Sequence, residues 1–193
     1  MKTWVAFRLS HLGDVALMTG VLAYWGRSRG LRFTVITRPG MEPLFAGHPF
    51  VDEVVAVPGA ALRGKAWPQE CLRLARRFSG HGLLDLHGTL RSQQLRLAWR
   101  LTGRPVRGYP KFGPSRWAYL LAGQYGLSSL RATMASRLER LNVPQRYALA
   151  LEDTAPPRQE LLPSIQPVPE EAELAREQLS GLVDLNKPLV ALH

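Results

Sequence analysis

The sequence predicts an α/β domain built on a doubly wound parallel sheet, and three observations carry that expectation. Short apolar runs alternate with stretches of helical period up to about residue 109, turn residues punctuate them, and two glycine loops each link an apolar run to a helix. Strand-helix-strand alternation of this kind gives parallel strands with crossover helices on both faces. Ligands of such sheets bind at the carboxyl ends of the strands.

Thr3 to Arg8 is expected as the first buried strand, a short β-branched and aromatic run. The loop Ser10-His11-Leu12-Gly13 follows. From Asp14 onward Val15, Leu17, Met18, Val21, Leu22 and Trp25 mark a helical face, which Gly26 or Gly30 can close. Leu31 to Thr37 is a second strand ended by Pro39-Gly40, Met41 to Ala46 a short helix, and Glu53 to Val57 a third strand stopped by Pro58 and Gly59. Gln69 to Phe78 is amphipathic, with Leu72, Leu74, Ala75 and Phe78 opposite three arginines. Leu83 to Leu86 is a fourth strand, and the loop His87-Gly88-Thr89 feeds a helix from about Leu90 to Leu101. Pro105 to Tyr109 is the fifth strand. Beyond it the pattern loosens, with a helical patch at Trp117 to Leu121 and a helix over Ala135 to Leu141 ended by Pro144.

Residues 153 to 169 carry Pro156, Pro157, Pro163, Pro167 and Pro169 and suggest an extended linker. Glu170 to Leu182 is expected as a helix with an acidic first turn, which suits the helix dipole. Pro188 to Leu192 reads as a strand start. The expected organisation is therefore one domain over 1–152, a linker and helix over 153–186, and at 187–193 the opening of a second domain. At 193 residues a single sizeable core fits and a second complete one would be cramped.

Composition narrows the function classes. With 46% hydrophobic and 21% charged residues the chain has the makeup of an ordered soluble fold. The single cysteine, Cys71, has no partner for an internal disulfide and no zinc-like His/Cys spacing around it, so it is expected to pack a helix against the sheet. Arg8 and Asp14 interrupt the apolar start, and the uncharged stretch from Val15 to Gly26 is shorter than the roughly 20 residues that span a bilayer. A cytoplasmic location is expected. The net charge of +10 attracts anions, though solubility alone explains part of the excess. The basic residues are scattered, and no nucleic-acid-binding motif accompanies them.

The segment Arg8-Leu9-Ser10-His11-Leu12-Gly13-Asp14 has the layout of a ligand-binding turn: a strand ends, a glycine allows a tight turn, and a helix begins with free N–H groups facing the strand ends. With one glycine it is no dinucleotide fingerprint, and without Gly-Lys-Ser/Thr it is no P-loop. Asp14 has two readings. It is either a base or, as composition alone favours, an ordinary carboxylate at a helix N-terminus.

The run Arg8 to Leu17 resembles the opening motif of the heptosyltransferases of lipopolysaccharide core synthesis, glycosyltransferase family 9. Asp85-Leu86-His87-Gly88-Thr89-Leu90-Arg91-Ser92 is similar to their second motif, a strand followed by a glycine loop and a basic residue. The resemblance implies a GT-B architecture of two Rossmann-like domains, with this chain as the N-terminal, acceptor-binding half and the donor motifs in a second domain. It raises the catalytic reading of Asp14 above the capping one and makes it the general base of an inverting displacement. Ser10, His11, Gly13, His87, Gly88, Thr89 and Arg91 would line the acceptor site, with Lys111 and Arg116 adding to a basic wall.

The partners implied are ADP-heptose as donor, a lipid A-core oligosaccharide as acceptor, and a peripheral anionic contact with the inner membrane, with no metal or cofactor in the chemistry and no nucleic acid. The half alone is expected to be inactive. The alternatives are a GT-B transferase using another nucleotide sugar, or a non-catalytic domain that binds an anionic glycolipid.

Overall fold

A computed structural model describes residues 2–110, 120–130, 132–133, 141–166 and 169–180. Among them, strands β1 (Thr3–Phe7), β2 (Arg32–Thr37), β3 (Val51–Ala56), β4 (Gly82–Asp85) and β5 (Val106–Gly108) form one parallel sheet in the order β3-β2-β1-β4-β5. The helices are α1 (Leu12–Arg29), α2 (Ala66–Arg77), α3 (Leu90–Arg100), α4 (Val143–Ala148) and α5 (Pro169–Ser180). Residues 120–124 and 128–130 are also helical. The expected doubly wound, Rossmann-like sheet is thus what the chain forms.

Side chains alternate across the sheet, as strand geometry requires. Val5, Phe7, Ile36 and Leu83 point into a core shared with Trp67, Cys71 and Leu74 of α2 and Leu95 and Trp99 of α3. Ala6, Phe33, Val35 and Leu84 point the other way, toward Val15, Met18, Leu22 and Trp25 of α1 and Tyr147 of α4. Both faces of the central strands are largely buried, which is why they are mostly apolar, with Thr34, Thr37 and Asp85 as buried polar exceptions. Burial pushes the Cys71 thiol up to about 12, in keeping with a packing role.

The structure moves several expected boundaries. α1 starts at Leu12 and ends at Gly30, whose left-handed φ of 62° lets its N–H reach the Gly26 carbonyl at 3.1 Å. Gly26 lies inside the helix, where an added Cβ would stand 2.1 Å from the Phe50 ring. α2 begins at Ala66 rather than Gln69, because Trp67 is buried and Pro68 sits in the first turn, where no helical N–H is needed. The short helix at 41–46 is a 3-10 turn over Glu42–Phe45.

Pro144 begins a helix instead of ending one. Asn142 caps α4, its Oδ1 accepting the Gln145 N–H at 2.9 Å while Gln145 Oε1 accepts the Asn142 N–H at 3.2 Å. The expected helix over Ala135 to Leu141 lies almost wholly outside the described residues, as do Trp117 to Tyr119 and the strand start at 188–192.

The proline-rich stretch is fastened to the domain over its described length. A 3-10 turn, Arg158–Leu161, buries Leu161 against α1, and the Ser164 N–H donates to Thr19 Oγ1 at 2.9 Å. Gln145 Nε2 donates to the Pro156 carbonyl at 2.9 Å. α1 receives this segment at Gly20, where any Cβ would stand 2.2 Å from the Leu162 carbonyl oxygen.

Candidate functional site

Strand order reverses at β1, which pairs with β2 on one side and β4 on the other. The loops that follow β1 and β4 therefore emerge side by side at the carboxyl rim, and Leu86 N–H bonds to the Phe7 carbonyl at 3.1 Å. A crevice at such a reversal is where doubly wound sheets bind ligands.

In the first loop the turn is made by His11, with φ 64° and ψ 105°, the one non-glycine residue with positive φ among the described residues. This corrects the expectation that Gly13 makes it. Gly13 lies in the first turn of α1, and a Cβ there would meet nothing within 4 Å. Its missing side chain leaves the helix N-terminus uncovered, and α1 has no side-chain cap. Asp14 stands in that turn with 27% of its side chain exposed.

Arg8 organises this loop. It is buried; one guanidinium nitrogen, Nη1, donates to the Leu86 carbonyl and the other, Nη2, donates to Asp14 Oδ2. Its guanidinium also lies 5.2 Å from the centre of the Tyr147 ring, a cation-π contact. Tyr109 meets Tyr147 edge to face at 5.1 Å. Burial pushes both phenols up, with the Arg8 charge pulling the other way, so both hydroxyls stay protonated.

The second loop is held by Asp85, 1% exposed at the end of β4. Its Oδ1 accepts the N–H groups of His87 at 3.0 Å and Gly88 at 2.8 Å; its Oδ2 accepts Ser92 Oγ at 2.8 Å and lies 3.7 Å from Arg96 Nη1. Gly88 takes φ 59°, a conformation that favours glycine. Thr89 and Ser92 cap α3 reciprocally, so the Thr89 hydroxyl is engaged in helix initiation. His87 is nearly buried, its ring edge-on to Phe7 at 5.8 Å.

Two hollows open along this rim. One, of about 400 Å³, is lined by Arg8, Asp14, Tyr109, Arg146 and Tyr147 together with Ser10, His11, His87 and Thr89. The other, of about 640 Å³, is lined by Arg38, Trp67, Arg91 and Gln94 and again by Ser10, His87 and Thr89. The three shared residues form the ridge between them. Of the residues singled out from sequence, Ser10, His11, Asp14, His87 and Thr89 come together in the smaller hollow. Arg91 lies in the neighbouring one, its carbonyl accepting the Trp67 indole N–H at 2.9 Å. Gly13 and Gly88 shape the loops without lining either hollow. Lys111 and Arg116 lie outside the described residues.

Sequence reasoning missed Arg8, Tyr109, Arg146 and Tyr147 in the first hollow and Arg38 and Trp67 in the second. A signal existed for Arg8, a charge placed immediately after a buried strand. None existed for Arg146 and Tyr147, which reach the rim from α4. Among the described residues no three His, Cys, Asp or Glu side chains come together as a metal site, and no described helix is long and apolar enough to cross a membrane.

Fold and site together define a Rossmann-like α/β domain with a basic, carboxylate-bearing crevice at the carboxyl rim of its sheet. No protein-family model matches the sequence, and no curated protein matches it. Solved structures do match in fold. A family 9 glycosyl transferase from Veillonella parvula superposes with a TM-score of 0.60 at 20% identity, over 95% of this chain and 51% of that one. The ADP-heptose LPS heptosyltransferase II of E. coli gives 0.55 at 19% identity, over 93% and 51%. The chain spans about half the length of each, and at this identity the likeness is one of fold.

Proposed function

We propose that this chain is the acceptor-binding half of a glycosyltransferase of the heptosyltransferase type, in which Asp14 is the general base of an inverting transfer from a nucleotide sugar, ADP-heptose, to a lipid-linked core oligosaccharide at an anionic membrane face. The observation that carries the proposal is Asp14 itself: a carboxylate at the strand-order reversal, gripped by Arg8 through one oxygen, on the wall of an open hollow. Among the described residues its other oxygen, Oδ1, takes no hydrogen bond. The fold likeness to two glycosyltransferases supports the same reading.

In that reaction the acceptor hydroxyl lies within about 3 Å of Oδ1 and gives up its proton as its oxygen bonds to the anomeric carbon. The bond from that carbon to the diphosphate breaks in the same step, so configuration inverts and the nucleoside diphosphate leaves with the electron pair. Positive charge grows on the sugar and negative charge on the diphosphate. Arg8 orients the base, and Arg146, Tyr109 and Tyr147 surround the acceptor with donors. Arg91 and Arg38, in the adjoining hollow, suit the anionic part of a phosphorylated or acidic-sugar acceptor.

The test is Asp14→Asn in the intact transferase. Turnover is expected to drop by about 10²- to 10⁴-fold, the usual worth of a positioned base, with acceptor affinity nearly unchanged. Undiminished transfer overturns the assignment of Asp14 as the base, whereas a wild-type protein that binds glycolipid but transfers from no nucleotide sugar is a non-catalytic glycolipid-binding domain. Assay against a panel of nucleotide sugars identifies the donor.

A further inference from the structure

Helix α3 turns a row of leucines to solvent. At about 100° per residue, Leu90, Leu97 and Leu101 fall within about 40° of one another on the helix surface. Leu101 continues the helix with φ −64° and ψ −18°. Ser92, Leu95 and Trp99, on the opposite side, are buried. The three leucines are 89%, 63% and 75% exposed. Exposed Gln94 interrupts the row and exposed Gln93 borders it. Single exposed leucines are ordinary, but three leucines this exposed on the outer side of a surface helix, where polar groups normally align, call for an occupant.

The charges beside the stripe identify that occupant. By the same helical spacing Arg91 and Arg100 fall on its two flanks, exposed Arg104 follows just beyond the helix, and α3 contains no carboxylate. A second copy of a chain carrying +10 would set these arginines against one another. A sheet of anionic headgroups over hydrocarbon satisfies both features, since leucines enter the acyl boundary while arginines on either side pair with lipid phosphates. We propose that the outer face of α3 docks this protein on an anionic bilayer.

The location has a functional consequence. Leu90 and Arg91 also line the larger hollow, so the docking face and the proposed acceptor site share an edge. A lipid-borne acceptor would then meet the crevice at the membrane surface. That consequence rests on the transferase reading, whereas the docking itself does not.

The experiment is co-sedimentation of the protein with phosphatidylglycerol-containing vesicles and with pure phosphatidylcholine vesicles. Wild type is expected to bind the first and to bind the second at least about tenfold more weakly. Leu97→Ser/Leu101→Ser removes two insertable side chains and should weaken binding by about tenfold or more, and Arg100→Glu by at least about fivefold. Circular dichroism and melting temperature should stay at wild-type values because these side chains are exposed. Asp14→Asn should bind vesicles like wild type, so loss of the transferase reading and loss of this proposal are separate results. Equal vesicle binding by the leucine variant overturns the proposal. So does a change in its sedimenting mass without a change in vesicle binding, which would mark the stripe as a protein-protein contact.

Discussion

Arg8 spans two loops that are distant in sequence: one guanidinium nitrogen holds Asp14, six residues on, and the other holds the carbonyl of Leu86, 78 residues on. A single buried side chain thereby locks the loop after β1 to the loop after β4 at the point where strand order reverses. It also presents the carboxylate to the smaller hollow.

Replacing Arg8 by Met should therefore weaken both folding and chemistry. It strands a buried carbonyl and leaves Asp14 unpaired, a type of loss worth about 3–5 kcal/mol for a fully buried pair and less here, because Asp14 is partly exposed. A lowered urea midpoint with unchanged slope checks it. Arg8→Lys retains the charge but cannot fork to two acceptors, so in the intact transferase kcat should fall more than KM rises.

Asp85→Ala should destabilise the second loop more than any other single change at the rim. It removes acceptors from two backbone N–H groups and one hydroxyl and leaves Arg96 without its partner. The expected loss is about 3 kcal/mol or more. Amide exchange at His87 and Gly88 should accelerate well before global unfolding, and unchanged exchange would remove Asp85 from this role.

His11 and Gly88 share a positive φ but call for opposite outcomes. His11→Gly relieves a costly backbone conformation and should raise stability by about 1 kcal/mol. Gly88→Ala introduces that cost and should lower stability by about 1–2 kcal/mol. Denaturation midpoints of the two variants should move in opposite directions.

Acidification should weaken the fold through His48. Its Nε2–H donates to the Thr19 carbonyl at 3.0 Å and its Nδ1 accepts the Phe50 N–H at 3.3 Å, so both nitrogens are satisfied only in the neutral ring. Burial, reinforced by the charges of Arg27 and Arg32, lowers its pKa below the ordinary 6.5, while the bond to Thr19 works against that shift. The unfolded chain then takes up a proton first as pH falls. Stability is full above about 6.5 and declines below it down to the folded value. In His48→Gln the decline over that window should shrink, as urea midpoints at a series of pH values would register.

The sheet was legible because its signals are local. Runs such as Trp4 to Phe7 and Leu83 to Leu86 are too apolar to lie anywhere but between two helical layers. The site was only half legible. Asp14, His87 and Tyr109 follow strands and so betray their rim position, whereas Arg146 and Tyr147 converge on them from α4, a segment with no local mark of that destination. The sequence points to Gly13 for a turn that His11 makes, since glycine is the default residue for a positive φ and histidine there is uncommon. Pro144 misled for a related reason: proline is compatible both with the end of one helix and with the first turn of the next. The prolines of 153–166 suggest an extended linker, and the bare backbone at Gly20 gives that extended segment a seat on α1.

The central position of β1 also bears on synthesis. Of the five described strands β1 is made before the others, and one of its edges finds no partner until residues 82–85 have emerged. Until then the nascent chain carries an apolar ribbon able to pair with a neighbouring polysome product. Ribosome-stalled chains ending before β4 should accordingly recruit holdase chaperones, and those long enough to expose α3 should release them.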